Sequence, residues 1–106
     1  MKVGRMKIIW SEQSVQALEK VVMFYKRIAS EQIAIKIQNE VIESTIKLED
    51  HPKIGKIEPL LSFKNLGHRY ILSGHCKIIY VIIDHDILIT DIFDTRQASK
   101  RIKKGI

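Results

Sequence analysis

Hydrophobic and polar positions change their period partway along the chain. Lys7-Ile8-Ile9-Trp10 is a short, apolar and partly β-branched run that suits a first strand. Beyond it, Val15, Leu18, Val21, Val22, Tyr25, Ile28 and Ala29 recur at helical spacing and draw one apolar stripe. Ser11 precedes that stripe as an N-cap, its hydroxyl accepting an orphan backbone N–H, and Glu12 suits the positive end of the helix dipole. The pattern restarts at Ser30, a second cap. Ala34, Ile37, Val41, Thr45 and Leu48 form a second stripe, supplemented by Ile35, Ile42 and Ile46. Two amphipathic helices joined so closely fold back as an antiparallel hairpin. His51-Pro52 closes the second helix, because Pro disfavours the helical conformation of the residue before it.

Lys53 to Ser62, with Gly55 and Pro59, reads as an extended connector. The period then becomes that of strands. Leu66 to Leu72 forms one, Ser73-Gly74-His75 a turn, and Cys76 to Ile83 a nearly continuous apolar run that suits a central strand buried on both faces. Asp84-His85-Asp86 makes the next turn. In the last strand, Ile87 to Phe93, the residues Ile87, Ile89, Asp91 and Phe93 alternate against Leu88, Thr90 and Ile92. The expected fold is α+β: an N-terminal strand, an antiparallel helical hairpin, then a three-stranded antiparallel meander with the hairpin over one face. No repeat or Gly/Ser linker divides residues 1–106, so one domain is expected.

Charge adds one fact to this picture. The 106 residues carry a formal charge of +6, and the stretch from Arg96 to the end adds Lys100, Arg101, Lys103 and Lys104 with no acid among them. A basic tail over residues 98–106 therefore follows a nearly neutral body, and bulk electrostatics point to no DNA-coating surface there. No apolar run approaches the ~18 residues of a membrane span, and nothing reads as a signal peptide, so a cytoplasmic protein without membrane contact is expected. The single cysteine, Cys76, excludes an intramolecular disulfide and a multi-cysteine zinc site.

Candidate chemistry is sparse. There is no P-loop, Rossmann glycine pattern, HExxH or GxSxG, and no cofactor is expected. His51, His68, His75 and His85 fall in turns or at strand edges without helical pairing, so no metal site is expected either. Cys76 at the start of a buried strand reads as a small core residue, and the Asp84/Asp86 pair as turn structure. What remains is Arg69, Tyr70, His75, Lys77, Arg96 and Gln97. An Arg such as Arg96, directly after the last strand, can hold a phosphate or a carboxylate in a bidentate fork, or be held by Asp94 or Asp91. Lys77 can contact phosphate, or can guard a strand edge against aggregation.

Four segments carry a family resemblance. They are Trp10-Ser11 leading into the hairpin; Leu48-Glu49-Asp50-His51-Pro52-Lys53-Ile54-Gly55 after it; Arg69-Tyr70-Ile71-Leu72 followed by Gly74-His75-Cys76-Lys77-Ile78-Ile79-Tyr80; and Ile89-Thr90-Asp91-Ile92-Phe93-Asp94-Thr95-Arg96-Gln97. In that order, over residues 6–97, the chain resembles the RelE/ParE superfamily of toxins from bacterial type II toxin–antitoxin systems. The resemblance implies the β-α-α-β-β-β fold already expected, a cognate antitoxin that neutralises the toxin, and contact with operator DNA only through that antitoxin. It also implies one of two targets. ParE-like toxins inhibit DNA gyrase and need no nuclease centre. RelE-like toxins are mRNA endoribonucleases that cleave on the ribosome, stabilising a pentavalent phosphate with basic side chains. A ribonuclease here would use Arg69, Lys77 and Arg96 on the phosphate, with His75 as base. The family's C-terminal Tyr has no counterpart after Tyr80, and Ile71 stands where a second cation is wanted. Inhibition of gyrase is accordingly the expected activity, with ribosome-dependent mRNA cleavage as the alternative, and whether the chain is an enzyme stays open at this point.

Overall fold

A computed structural model describes residues 5–97; the basic tail over 98–106 lies outside the described residues. The chain runs through β1 (Lys7–Trp10), α1 (Glu12–Ile28), α2 (Glu31–Ile46), a 3-10 turn (Lys47–Glu49), β2 (Lys56–Ile57), a second 3-10 segment (Pro59–Lys64), β3 (Arg69–Ser73), β4 (Cys76–Ile83) and β5 (Asp86–Asp94). Both helices start where their caps place them. The Ser11 hydroxyl accepts from the Ser14 N–H at 3.1 Å, and the Ser30 hydroxyl accepts from the Ile33 N–H at 3.1 Å. The hairpin bend closes with the Ala29 N–H donating to the Tyr25 carbonyl, 2.9 Å.

The five strands form one sheet in the order β1-β5-β4-β3-β2. β1 runs parallel to β5, and the other neighbours are antiparallel. β4 is central, as its apolar run implies: Ile78 and Tyr80 are buried under the helices, while Ile79 and Val81 are buried on the opposite side. The helical hairpin covers one face. Leu18, Val21, Val22 and Tyr25 from α1, with Ala34 and Val41 from α2, meet Ile78, Tyr80, Ile87, Ile89 and Ile92 in the core.

Several expectations need correction. Each helix buries a narrower stripe than its pattern suggested: Val15 and Ile28 on α1, and Ile35, Ile42 and Ile46 on α2, face water. A hairpin resting on one sheet face has room for only one stripe per helix. The strand read from Leu66 begins at Arg69, because Asn65 and Gly67 both adopt positive φ and turn the chain first. The connector at 53–62 contains β2, two residues that pair with Arg69 and Tyr70, and most of the 3-10 segment. Lys77 lies on a central strand rather than at an edge. Most consequential is β5. A bulge opposite Ile79/Tyr80 inserts one extra residue, since Tyr80 pairs with Ile89 but Ile79 with Asp91. Beyond it the alternation reverses, so Ile92 and Asp94 continue the buried face that Ile87 and Ile89 began, in place of Asp91 and Phe93. The other turns are as expected: Gly74 takes φ +58°, and Asp84 takes φ +54° in the two-residue turn between β4 and β5.

Candidate functional site: three anchored cations and an open sheet edge

The bulge delivers the Asp94 carboxylate into the interior, where only 1% of the residue is exposed. Tyr25, from the buried stripe of α1, donates its hydroxyl to Asp94 Oδ2. Arg96 returns over the same carboxylate. Its backbone N–H meets Oδ1 at 2.8 Å, its Nε meets Oδ1 at 3.3 Å, and its Nη2 meets Oδ2 at 3.2 Å while also contacting the Tyr25 hydroxyl. Burial alone would raise the Asp94 pKa, but the hydrogen bonds from Arg96 and Tyr25 outweigh it and hold the carboxyl below its ordinary value. The same pairing raises the pKa of Arg96, chiefly through its hydrogen bond to Asp94. Burial, followed by the Asp94 hydrogen bond, raises that of Tyr25. Of the two roles that the sequence leaves open for Arg96, the geometry is that of an arginine held by Asp94.

A second cation is engaged on the opposite face. Lys77 pairs in register with Phe93 and Leu72, away from the helices. Its ammonium meets the buried carboxylate of Glu58 and lies 4.2 Å from the centre of the Tyr70 ring. Glu58 is only 2% exposed and also accepts from the Leu60 N–H at 3.2 Å, so it both caps the 3-10 segment and neutralises Lys77. Beside it His68 is buried, its Nδ1 without a hydrogen-bond partner. Burial, then nearby Lys64, lowers its pKa.

The third cation, Arg69, is spent on the chain's own backbone. Its Nη1 donates to the Gly55 carbonyl at 2.8 Å and reaches the Lys53 carbonyl at 3.4 Å. Its strand partner Tyr80 works on the same segment: the hydroxyl donates to the Pro52 carbonyl at 2.7 Å and accepts from the Gly55 N–H at 3.0 Å. Gly55 permits this close approach, because a Cβ there would sit 2.6 Å from the Tyr80 hydroxyl and 2.7 Å from the Tyr70 carbonyl. The His51-to-Gly55 motif is thus a clamp that ties the post-helical segment to the sheet.

These residues do not converge. Arg69 faces Tyr80 and Asp94 faces Cys76, four positions apart along β4, which at the rise of a strand is about 13 Å. Lys77 lies through the sheet from both. His75 is exposed in the β3–β4 turn, where its carbonyl accepts from the Thr95 N–H at 2.7 Å. Cys76 is buried, and burial followed by the Asp94 charge pushes its thiol up to about 11, which suits packing and not nucleophilic attack. No group of three or more His, Cys, Asp or Glu among the described residues is placed to hold a metal ion. Tyr25, Glu58 and Tyr80 are the partners that the sequence left unassigned. Tyr25 was visible only as a member of an apolar stripe, and Glu58 only as a polar residue in a connector.

The outer side of β3 is a different kind of site. β2 pairs with β3 only at Arg69 and Tyr70, so no strand among the described residues lies along 71–73. A groove of about 340 Å³ runs there, lined by residues that include Ser44 and Lys47 from the helical side and Ile54, Lys56, Ile71 and Leu72 from the strand side. No helix among the described residues is long and apolar enough to cross a membrane.

The architecture recurs in solved structures. The chain is similar to a chain from the chromosomal ParDE toxin–antitoxin system of P. aeruginosa, with TM-score 0.71 and 16% identity over 85% of this chain and 96% of that one. It is also similar to a mutant of the E. coli toxin RelE in the free state, with TM-score 0.51 and 12% identity over 96% and 99% of the two chains. No curated protein sequence matches it. The fold is therefore shared with both of these proteins. Residues 8–99 match the ParE toxins of type II toxin–antitoxin systems, parDE, and the chain belongs to that family: it is the toxin component of such a system.

Proposed function

We propose that the chain acts by binding a protein, inhibiting DNA gyrase in the ParE manner, and that a cognate antitoxin silences it. The observation that carries this reading is the separation and engagement of its cations. Cleavage of RNA through a pentavalent phosphate requires several donors aimed at one point. Here Arg96 is taken up by Asp94, Lys77 by Glu58 and Arg69 by the Gly55 and Lys53 carbonyls, at three separate places. Inhibition by surface contact requires no such convergence.

The open stretch of β3 supports the antitoxin half of the reading. An extended segment can add to residues 71–73 as a further strand, its backbone meeting the free edge and its apolar side chains meeting Ile54 and Leu72. Lys47 and Lys56 in the same groove favour an acidic segment. Contact with operator DNA comes through the antitoxin alone.

A supercoiling assay with purified toxin and gyrase tests the proposal. Inhibition that antitoxin reverses is expected. Undisturbed gyrase at micromolar toxin, together with cleaved transcripts in a translating extract, would replace this reading with the ribonuclease.

A further inference from the structure

Between the Gly55 clamp and β3 the chain makes an excursion that the core does not need. No residue of Pro59–Lys64 is buried. Its apolar side chains nevertheless recur every third position, with Ile57, Leu60, Phe63 and Leu66 exposed by 53%, 69%, 72% and 59%. Within a 3-10 helix residues three apart eclipse one another, so Leu60 and Phe63 stand on one side. Ile57 on β2 and Leu66 just past the segment add exposed apolar surface before and after it. Apolar side chains this exposed form a patch of the kind that marks an interaction surface.

The patch is also charged in one sense. From His51 to Gly67 the cations are Lys53, Lys56 and Lys64, all exposed, and the one acid is Glu58. Glu58 is withdrawn from the surface, buried and neutralised by Lys77. What a partner meets is a row of apolar knobs with a lysine rim. The row is held in place from beneath: the Glu58 side chain caps Leu60, the Glu58 N–H donates to the His68 carbonyl at 2.8 Å, and the Asn65 N–H donates to the Ser62 carbonyl at 3.0 Å. A surface fixed in this way loses little conformational freedom on binding.

Its shape selects the partner. Peptide segments dock on sheet edges and in grooves, and this protein offers such a groove along 71–73. Projecting knobs instead fill pockets on a folded surface. We propose that the 57–66 arm is the surface by which the toxin grips its cellular target, a folded protein presenting an apolar cleft with an acidic rim. The inference rests on the reading that toxicity comes from protein binding, but not on gyrase being that protein.

The test uses the full-length chain carrying Leu60→Ser and Phe63→Ser together. Both side chains are exposed, so the circular dichroism spectrum and the thermal midpoint should stay close to those of the wild type. Expressed without antitoxin, the double variant should need at least roughly tenfold more protein to stop growth, as expected for loss of two interface anchors. Its affinity for antitoxin should change less than twofold. Lys64→Glu, outside the antitoxin groove, should weaken toxicity in the same direction, and more strongly at low salt. A folded double variant as toxic as the wild type overturns the inference. So does a parallel loss of antitoxin affinity, which would give the arm to the antitoxin, or arm-dependent binding to RNA or anionic vesicles. If toxicity depends on the arm while gyrase is untouched by wild-type toxin, the arm stands and gyrase alone is replaced.

Discussion

Replacing Tyr80 with Phe isolates the clamp that holds the excursion to the sheet. Phe fills nearly the same buried space, so the change removes one hydroxyl and leaves almost no cavity. That hydroxyl makes two hydrogen bonds, accepting from the Gly55 N–H at 3.0 Å and donating to the Pro52 carbonyl at 2.7 Å. Gly55 is buried, and leaving its N–H unpaired costs about 1–3 kcal/mol. Pro52 is half-buried and its carbonyl can turn to water, so only the net worth of an ordinary hydrogen bond, about 1 kcal/mol, is added. The sum of about 2–4 kcal/mol is a large part of the ~5–15 kcal/mol that stabilises a typical domain. Urea denaturation at 25 °C should show that loss with an unchanged m-value. Amide exchange should show where it falls, with Gly55 losing protection first. Arg69→Met acts on the same carbonyl-rich segment, so the two losses should combine non-additively. A loss below about 0.5 kcal/mol, against the ~1 kcal/mol of even a single ordinary hydrogen bond, would refute the clamp. So would a Gly55 amide that exchanges as slowly as before.

Three further outcomes follow from the titrating groups. The folded Asp94 carboxyl lies below its unfolded value of about 3.9, so its contribution is whole above that pH and is lost as acid passes through the folded value; Asp94→Asn should lower stability at neutral pH and flatten the acid limb of a pH–stability curve. Buried His68 is held neutral, so the unfolded chain takes up its proton first and stability should begin to fall as pH drops below about 6.5, a slope that His68→Gln removes. The Cys76 thiol, pushed up to about 11 and buried, should resist a thiol reagent at pH 8 until denaturant is added; rapid reaction of the native protein would contradict its place in the core.

What could be read from the sequence was what neighbouring residues decide among themselves. Ser11 and Ser30 cap their helices because the donors they satisfy are three residues away. Gly74 and Asp84 turn the chain because of their own backbone conformations. Even the Arg96–Asp94 contact spans only two positions. The hidden part depends on residues far apart in the chain. A two-residue strand such as Lys56–Ile57 has no period to detect and exists only because Arg69 and Tyr70 lie beside it. The bulge in β5 is set by pairing with β4, and it alone decides that Asp94 rather than Phe93 turns inward. Glu58 carries no local signal of its role, because its partner Lys77 reaches it only through the fold. Arg69, Lys77 and Arg96 are legible as cations, but their acceptors are not.

The parallel pairing of β1 with β5 bears on how such a toxin can be made safely. Lys7 finds its partner only at Asp86, and Tyr25 its acceptor only at Asp94. At a synthesis rate of about 5–20 residues per second, the first strand waits on the order of 4–16 s for the strand beside it. Throughout that interval the helical hairpin has no finished sheet to bury against. A chain truncated before its last strand has an orphaned first strand and a hairpin without the β5 residues Ile87, Ile89 and Ile92 that complete its core. The sheet is complete only once β5 has been made, which leaves the cell a window in which antitoxin can meet the toxin at the moment it first acquires its shape.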